Sequence, residues 1–486
     1  MSDGRCSSAP APHVSPAFPM PSAAVKRLRV AICGAGIGGL TLAVALSQYP
    51  DIDIELYEAA KSLTELGAGI GLFPRPWRVM RKLGVDQELI NTCEIKPKEG
   101  AVSSFHYRKS DQPMGFEFST LITNGSLITL HRADFQSALL SRLPKSCRIV
   151  CSKRLRTFFQ QSSGPTQLEF EDGTTATCDV LIGADGLKSA TRAAMINERI
   201  KWMQQHGRWE DATDIAKYIH PSWSGLVAYR SLIPAEKLRN LFPGHAVLTT
   251  PTQYLGKEGY VIAYPIQQGR MVNCVAFTCR HNLENTRYEG PWVGPADKAQ
   301  FAGYFAHWEP EVQALLQVRT TSLFTHILNF LSSVKCVEKP LAWAVHTVRP
   351  LPSFVSGRVA LLGDAAHAMT PHQGSGAGQA IEDAWILAKL LGNPATTREN
   401  VHNALRAFDE ARRPLAHRIA DGCRENGRYF SLAVDGVDFG NGRQTPETWK
   451  NLQQLHALVV KNWEWAWTTS IDSTLEDALQ MFEATL

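Results

Sequence analysis

Several large classes of protein are excluded by what this sequence lacks. No apolar run approaches the ~18 residues that a membrane-spanning helix requires. The 10 cysteines are scattered without a C-x-x-C pair, so neither a disulfide framework nor a zinc site is predicted. The net charge is only +4 and no long basic run occurs, which argues against nucleic acid as a partner. These absences favour a globular protein of a reducing compartment without a membrane partner, and we expect it in the cytoplasm.

The N-terminal end and the length set the expected organisation. Residues 1–24 are rich in proline, serine and alanine and have no apolar core of the kind that a signal peptide needs, so we expect a disordered leader. Of the 486 residues, 44% are hydrophobic and 20% are charged. This length and composition are typical of a globular protein with two or three domains.

A glycine-rich turn follows the first predicted strand, Arg27–Cys33. The pattern G-x-G-x-x-G is filled by Gly34, Gly36 and Gly39, and an apolar helix comes next. In such a turn the first glycine allows the sharp bend, the second lets a pyrophosphate approach, and the third allows the helix to pack closely. The following strand ends at Glu58, whose carboxylate could accept hydrogen bonds from a ribose or could simply be solvated. The unit predicts a dinucleotide site but does not separate NAD from FAD.

A second glycine-rich stretch, Gly357–Ala384, lies near the other end of the chain. It predicts a buried strand, a turn at Gly363-Asp364, and a helix that opens near Gly376. Glycine is unfavourable in helices, so this density is typical of backbone that approaches a ligand, and helix N–H groups attract negative charge. The aspartate would lie at the tip of a parallel strand, which is where α/β sheets bind ligands.

The order of strand, turn and helix recurs in Cys178–Arg192, where Asp185-Gly186 follows the strand. Earlier in the chain, Leu66–Gly84 has three closely spaced glycines before an amphipathic helix. A further helix is predicted at His131–Leu143 with Arg132 near its start. Arg132 is either a ligand-binding cation or a surface cation.

These motifs carry a resemblance to a known family. In order they read GAGIGG, IGADGLKSATR and VALLGDAAHAMTPHQGSGAGQAIED. The series resembles the single-component (group A) FAD-dependent aromatic hydroxylases, in particular the salicylate hydroxylases and the fungal polyketide (methylorcinaldehyde-type) monooxygenases. The resemblance extends from Arg27 to about Leu475.

The resemblance implies an α/β fold. A Rossmann-like FAD-binding domain of the para-hydroxybenzoate hydroxylase type would carry an inserted mixed β-sheet substrate domain and C-terminal helices. The expected ranges are 25–200 and 336–430 for the FAD-binding domain, 201–335 for the sheet domain with a helical insertion, and 431–486 for the helical tail.

The resemblance also implies FAD as the cofactor and NADPH or NADH as the co-substrate. Six residues would contact the cofactor: Glu58 at the adenosine ribose, Gly71 against the FAD, Arg132 over the pyrophosphate or ribityl region, Asp185 in a motif used for both FAD and the nicotinamide nucleotide, Asp364 at the ribityl chain, and Ala377 at the isoalloxazine.

The middle of the chain alternates in polarity and predicts strands of a sheet at Ser224–Ile233, Gly259–Ile266 and Arg270–Thr278. Along a strand, Tyr260 and Tyr264 lie on one face. A cation, Arg230, together with these phenols suits a ring that bears an ionisable oxygen. The alternative is that Arg230 pairs with a structural acid and the tyrosines belong to the core.

The resemblance favours the functional interpretation of these residues. Arg230 would stabilise the phenolate and Tyr264 would orient it, with Tyr260 in the substrate pocket. Pro371 and His372 would shape the wall beside the reacting flavin. No metal site is predicted, because His367 and His372 lack a third ligand and a helical spacing.

Two further segments are predicted to be helical. Residues 197–222 form a helical insertion that is either a substrate lid or a dimer element. Asn403–Asn426 predicts an amphipathic helix with a kink at Pro414, an apolar side and a polar side. Its polar side is expected to carry Arg412, Arg413 and Arg418. The tryptophan-rich tail Trp463–Leu479 is expected to pack on the catalytic body.

The predicted function is hydroxylation of a phenolic ring by an FAD-dependent monooxygenase. NAD(P)H would reduce the flavin, and O₂ would form a C4a-hydroperoxide whose terminal oxygen the ring attacks. The substrate would be a polyketide phenol or aldehyde, with dearomatisation as one outcome. Alternatives are decarboxylative hydroxylation of the salicylate type, an FAD-dependent reductase without oxygen insertion, and a non-catalytic flavin-binding protein. A homodimer is one option for the assembly.

Overall fold

The computed structural model describes residues 26–63, 69–93, 96–161, 164–321, 341–440 and 444–486. The predicted leader lies outside these residues, as does Gly67, the first glycine of the GAGIG run. Within the described ranges, no helix has the length and apolar character needed to cross a bilayer.

The strands are β1 (Leu28–Cys33), β2 (Ile52–Tyr57), β3 (Gly69–Leu72), β4 (Ala101–Lys109), β5 (Phe116–Asn124), β6 (Ile128–His131), β7 (Arg148–Val150), β8 (Leu155–Phe159), β9 (Thr166–Phe170), β10 (Thr175–Cys178), β11 (Val180–Gly183), β12 (Ser222–Pro234), β13 (Thr252–Gly256), β14 (Gly259–Ile266), β15 (Met271–Cys279), β16 (Val293–Pro295), β17 (Leu341–Thr347), β18 (Val355–Ser356) and β19 (Val359–Leu361). The α-helices are α1 (Ile37–Leu46), α2 (Pro74–Leu83), α3 (Asp86–Thr92), α4 (Arg132–Ser141), α5 (Ala190–Gln205), α6 (Trp209–Ile215), α7 (Ala235–Leu241), α8 (Lys298–Phe305), α9 (Pro310–Thr321), α10 (Asp364–His367), α11 (Gly376–Leu391), α12 (Val401–Phe430), α13 (Pro446–Trp463), α14 (Trp465–Thr468) and α15 (Asp472–Glu483).

A six-stranded sheet of order β18-β19-β11-β1-β2-β7 organises the cofactor side of the molecule. The three strands that lead into the three motifs are neighbours, because β1 pairs in parallel with β11, and β11 pairs in parallel with β19. Every residue of α1 is buried, because this helix packs between the sheet and α11. The carboxyl ends of β1, β11 and β19 therefore meet at one edge, which is where such sheets bind ligands.

An eight-stranded sheet of order β16-β17-β12-β15-β14-β13-β4-β5 forms the other large layer. It contains the three strands predicted from alternation, now β12, β14 and β15. β4, β5 and β17 also join it, although the sequence places them in the ranges of the FAD-binding domain. Strand pairing brings together segments that are far apart in the chain. The predicted domain ranges, which are continuous stretches of sequence, therefore cut across this sheet.

The two faces of the eight-stranded sheet have different surroundings. On one face, Tyr229, Ile233 and Ala276 belong to a buried cluster that also contains residues of α8 and α9. The opposite face carries Tyr260 and Phe277 and packs against Phe430 and the C-terminal helices. Since β-strand side chains alternate between faces, this second face also carries Arg230.

The predicted helical insertion is largely helical, as expected, and comprises α5, α6 and the 3₁₀ turn Ala216–Tyr218. α5 contacts β8, β11 and α10, which belong to the cofactor side of the molecule. α5, whose second half belongs to the insertion, therefore packs on the FAD-binding layer.

α12 continues through Pro414, and its expected division into polar and apolar sides is wrong for Arg412. Arg412 is 0% exposed and lies in the apolar stripe of Leu405, Phe408 and Ile419. The charge is tolerated there because Arg412 donates to Asp383 at 2.8 Å and to Glu382 at 3.1 Å. Arg412 can be buried because Glu382 and Asp383 of α11 pair with it. The periodicity of the α12 sequence does not reveal these partners.

Removing this buried cation should destabilise the protein. Arg412→Met would leave the carboxylates of Glu382 and Asp383 short of a partner, which should cost about 3–5 kcal/mol of unfolding free energy. The measurement is urea unfolding of the full chain. Arg406→Met on the same helix removes an exposed pair with Glu410 at 3.9 Å and should cost less than about 1 kcal/mol. Equal, small losses in both variants would contradict the importance of the buried network.

Candidate active site

The turn after β1 requires glycine at two of its positions. Gly34 has a φ of +112°, and a Cβ there would lie 2.2 Å from the carbonyl oxygen of Ala184. A Cβ on Gly39 would lie 2.0 Å from the carbonyl oxygen of Gly34. Because Gly34 and Gly39 have no side chain, α1 can start immediately beside the ends of β1 and β11.

Gly36 has a different environment, because a Cβ on it would meet no protein atom within 4 Å. It is the N-cap of α1 and provides no side-chain cap, so the first N–H groups of the helix can face a ligand. Nearby, Glu58 accepts hydrogen bonds from the backbone N–H groups of Ala35 at 2.8 Å and Ala60 at 2.7 Å. Open space, uncapped N–H groups and a fixed carboxylate fit the pyrophosphate and ribose of a dinucleotide.

The third motif places a carboxylate beside a second uncapped helix. Gly363 has a φ of +60° and turns the chain after β19, so that the exposed Asp364 begins α10. One carboxylate oxygen of Asp364 lies 4.0 Å from where a Cβ on Gly376 would be. α11 begins at Gly376 without a side-chain cap, and Ala377 is half-buried in its first turn. This arrangement can hold a polyhydroxylated chain and a ring with partial negative charge.

The carboxylate of Asp185 is engaged within its own motif. It accepts hydrogen bonds from the Ser189 hydroxyl at 2.5 Å and from the backbone N–H of Thr191 at 2.9 Å. Asp185 thus holds the start of α5. Arg192, 1% exposed, donates to the carbonyl of Ala365 at 2.8 Å and so ties the second motif to the third.

The predicted contact Gly71 lies on a separate two-stranded sheet of β3 and β6, and the predicted contact Arg132 lies just beyond it. Gly71 pairs with Thr129, and Arg132 begins α4 directly after β6. β3 also contacts α11, which places Gly71 near the third motif. The hydroxyl of Tyr264 lies 3.5 Å from where a Cβ on Gly69 would be, so the eight-stranded sheet approaches β3 at this point.

Tyr260 and His372 meet in an aromatic cluster between the two layers. Tyr260 is 2% exposed and stacks on Phe277 at a ring distance of 4.6 Å, with the His372 ring 5.6 Å away. Gly427 makes room for His372, because a Cβ there would lie 2.3 Å from its ring. Pro371 begins the 3₁₀ turn that carries His372.

The protonation of His372 follows from its surroundings. Burial lowers the pKa of His372 to about 3, so the ring is neutral near pH 7. Its Nδ1 lies 2.9 Å from the carbonyl oxygen of Cys423, which can only accept, so Nδ1 carries the proton. Nε2 is then an acceptor. Neither Nε2 nor the Tyr260 hydroxyl has a hydrogen-bond partner among the residues that the structure describes.

Arg230 lies on the same face as Tyr260 and Tyr264. It pairs across β12 and β15 with Val275, and Val275 pairs in turn with Ile262 of β14. No carboxylate in the described ranges forms an ion pair with Arg230, so the alternative of a structural acid finds no support there. Tyr229 points to the opposite face, where it packs on Phe301.

Gln373, which no sequence pattern singled out, joins the loop that carries His372 to the C-terminal helices. Gln373 is 0% exposed; its amide donates to the carbonyl of Asn462 at 3.0 Å and accepts from the Trp465 indole at 3.3 Å. The predicted packing of the tail is confirmed, since Trp463 is buried against Phe73 at a ring distance of 5.2 Å. A buried amide between two predicted elements leaves no signal in a single sequence.

Asp383 was also missed. Its carboxylate accepts from the backbone N–H of Gly363 at 3.0 Å and lies 2.6 Å from Nε2 of His367. His367 is therefore part of this ionic network. In the described part of the chain, no group of three histidine, cysteine or acidic side chains could hold a metal ion.

The comparisons with known proteins agree with this geometry. Residues 27–239 and 282–422 match the FAD binding domain family. The chain is 34% identical to an FAD-dependent monooxygenase (str9) of Strobilurus tenacellus, over 95% of this chain and 99% of the relative. It is 32% identical to a salicylate hydroxylase of Pseudomonas putida, over 93% of this chain and 94% of the relative. A solved salicylate hydroxylase substrate complex superposes with a TM-score of 0.74 at 28% identity, over 93% of this chain and 98% of that chain.

The chain therefore belongs to the FAD binding domain family. Within it, the chain is an FAD-dependent monooxygenase of the salicylate hydroxylase type. The resemblance drawn from the three motifs and the predicted fold class are confirmed.

The space above Gly36 gives a test of the cofactor site. Gly36→Ala should fold normally, because the new methyl meets no protein atom, but it should weaken FAD binding at least about tenfold by blocking the pyrophosphate. The measurement is FAD retention and thermal unfolding of the apoprotein. Gly303→Ala in α8, also with open space at its Cβ, should leave FAD binding unchanged. Full FAD affinity in Gly36→Ala would rule out a pyrophosphate at this position.

Asp364 gives a second test. Asp364→Ala removes the exposed carboxylate beside α11 and should cost 1.5–3 kcal/mol of FAD binding, or roughly tenfold to a hundredfold in affinity. Dialysis followed by FAD titration measures it. Asp477→Ala, an exposed acid on α15, is the matched control and should bind FAD as the parent does. Unchanged affinity in Asp364→Ala would remove this residue from the ribityl site.

Proposed function

We propose that the protein hydroxylates a phenolic aromatic substrate, with FAD as cofactor and NADPH or NADH and O₂ as co-substrates. The observation that carries this proposal is the position of Arg230. Arg230 shares a sheet face with Tyr260 and Tyr264, and it has no carboxylate partner in the described ranges. A site with one such cation suits a substrate that brings its own negative charge.

Arg230 would bind the ring oxygen in its ionised form. A cation beside a phenol lowers the pKa of that phenol, and the phenolate has more electron density at its ortho and para carbons. Tyr264, near Gly69 of the cofactor layer, would donate a hydrogen bond that orients the ring. Tyr260 and neutral His372 would supply one donor and one acceptor at the inner end of the pocket.

The cofactor residues would perform a separate task. When bound, FAD would supply the redox chemistry that passes electrons from NAD(P)H to O₂, the source of the oxygen atom that the ring gains. Glu58, Asp364 and the uncapped start of α11 at Ala377 would hold and orient FAD, and the helix N-terminus favours negative charge on its ring. Arg132, Gly71 and Asp185 would complete this layer.

The names of two relatives support a phenol that is an aromatic acid. A 6-methylsalicylate 1-monooxygenase (atA) of Aspergillus terreus is 30% identical over 94% of this chain and 92% of the relative. Salicylate-type decarboxylative hydroxylation is the second candidate, because the solved structure that superposes with a TM-score of 0.74 is a salicylate hydroxylase. A reductase without oxygen insertion is disfavoured, because each of these relatives is named a hydroxylase or monooxygenase.

Substitution of Arg230 and Tyr264 tests the substrate side. Arg230→Ala should retain FAD yet lose about 10²–10³-fold in kcat/KM, because it removes the charge that stabilises a developing anion. Tyr264→Phe should lose roughly tenfold, the cost of one hydrogen bond. Product formation, O₂ uptake and NAD(P)H oxidation are measured with a panel of phenols. Arg270→Ala, an exposed arginine in the turn before β15, is the control. Undiminished hydroxylation by Arg230→Ala would refute the assignment, and loss of FAD would place this residue with the cofactor.

The pH dependence offers an independent check. His372 has a pKa of about 3 and stays neutral between pH 5 and 9, so the acidic limb of kcat should reflect ionisation of the bound phenol. Since Arg230 stabilises the phenolate, its removal should move that limb to higher pH. A limb at the same pH in both proteins would show that Arg230 does not control the ionisation.

A further inference from the structure

The face of the eight-stranded sheet that carries Arg230 changes from buried to open along β12. Ala228 is 6% exposed, Arg230 is half-buried, and Leu232 is 38% exposed. The cover given by Phe430 and the C-terminal helices thus ends near Arg230. The opposite face shows no such change, because Tyr229 and Ile233 are 5% and 0% exposed.

Beyond Arg230 the open part of this face is apolar. Leu341 of β17 lies directly opposite Arg230, and Trp343 lies opposite both Ala228 and Val293 of β16. Their exposed fractions are 38% for Leu341, 41% for Trp343 and 45% for Val293. We call Leu232, Val293, Leu341 and Trp343 the apolar shelf. Strand spacing places its outer edge roughly 12 Å from Arg230.

Exposed apolar side chains grouped on one face mark a binding surface more often than single ones do. A second protein is a poor occupant, since a stable interface takes about 20–30 residues per side and the shelf has four. A molecule with an anionic ring at Arg230 and an apolar extension would satisfy both features.

We infer that the substrate is a phenol with an extended apolar substituent, and that this substituent lies on the apolar shelf while the ring oxygen binds Arg230. This inference rests on the proposed function and specifies its substrate class. A small phenol or salicylate would fill only the inner part of the site. The shelf would then set specificity through hydrophobic burial, which grows with each methylene that leaves water.

The test uses 5-alkylresorcinols with methyl, propyl and pentyl chains as probes. Their Kd values are measured from the absorbance change of bound flavin without NAD(P)H, and kcat/KM is measured separately. In the parent protein, affinity should rise about twofold to fourfold per added methylene. Trp343→Ser should reduce the pentyl-to-methyl ratio of affinities at least about fivefold. Trp209→Ser, which removes a 62% exposed tryptophan from α6, should leave the ratio and the activity unchanged.

A flat dependence on chain length in the parent would overturn the inference, as would an absence of any flavin perturbation. Two results for Trp343→Ser would also overturn the inference. One is an equal loss of affinity for all three probes, and the other is a change in the sedimentation of the variant, which would show that protein covers the shelf. Failure of the proposed function looks different. In that case the probes bind with the expected dependence on chain length, yet no hydroxylated product forms.

Discussion

The turn that follows β19 depends on the buried carboxylate of Asp383. This group accepts a hydrogen bond from the backbone of Gly363 and contacts both His367 and Arg412. Burial alone would raise the pKa of Asp383, but the charges of His367 and Arg412 outweigh it and lower the pKa to about 2. Its contribution to stability is therefore present above the unfolded pKa and is lost only as the pH falls towards 2.

The same network connects three elements that are distant in sequence. Arg412 of α12 reaches Glu382 of α11, and Arg75 of α2 donates to the other side of Glu382 at 2.9 Å. Arg75 in turn donates to the Ser470 carbonyl in the C-terminal segment at 2.8 Å. The loop that presents Asp364 and the helix that starts at Gly376 are thus held by paired charges from several directions. A buried ionic cluster of this kind adds little net stability but is costly to disrupt.

Charge is handled in opposite ways on the two sides of the site. On the cofactor side, the helix N-termini near Gly36 and Gly376 have no side-chain cap, so their backbone N–H groups can meet negative groups of FAD. On the sheet face that carries Tyr260, Arg230 stands among mostly apolar and aromatic side chains. His372, packed against Tyr260, is neutral near pH 7 and adds no charge to this face.

Much of the site could be predicted from the sequence, because the relevant features are local. The glycines at 34 and 39 follow from the geometry of a strand–turn–helix unit, and the shared face of Tyr260 and Tyr264 follows from the two-residue period of a strand. The resemblance carried by three short motifs gave the family correctly, because each motif is a continuous stretch.

Other features were decided by tertiary structure. The burial of Arg412 depends on carboxylates from α11. The eight-stranded sheet takes β4, β5 and β17 from distant parts of the chain. The hydrogen-bond partners of the Gln373 amide are in the C-terminal helices, far away in the sequence. The sequence by itself determined the family, the cofactor and the local backbone geometry, since these reside in continuous motifs. Only the tertiary structure decided which buried charges pair and where the sheet face that carries Arg230 opens, because both depend on contacts between segments that no periodicity relates.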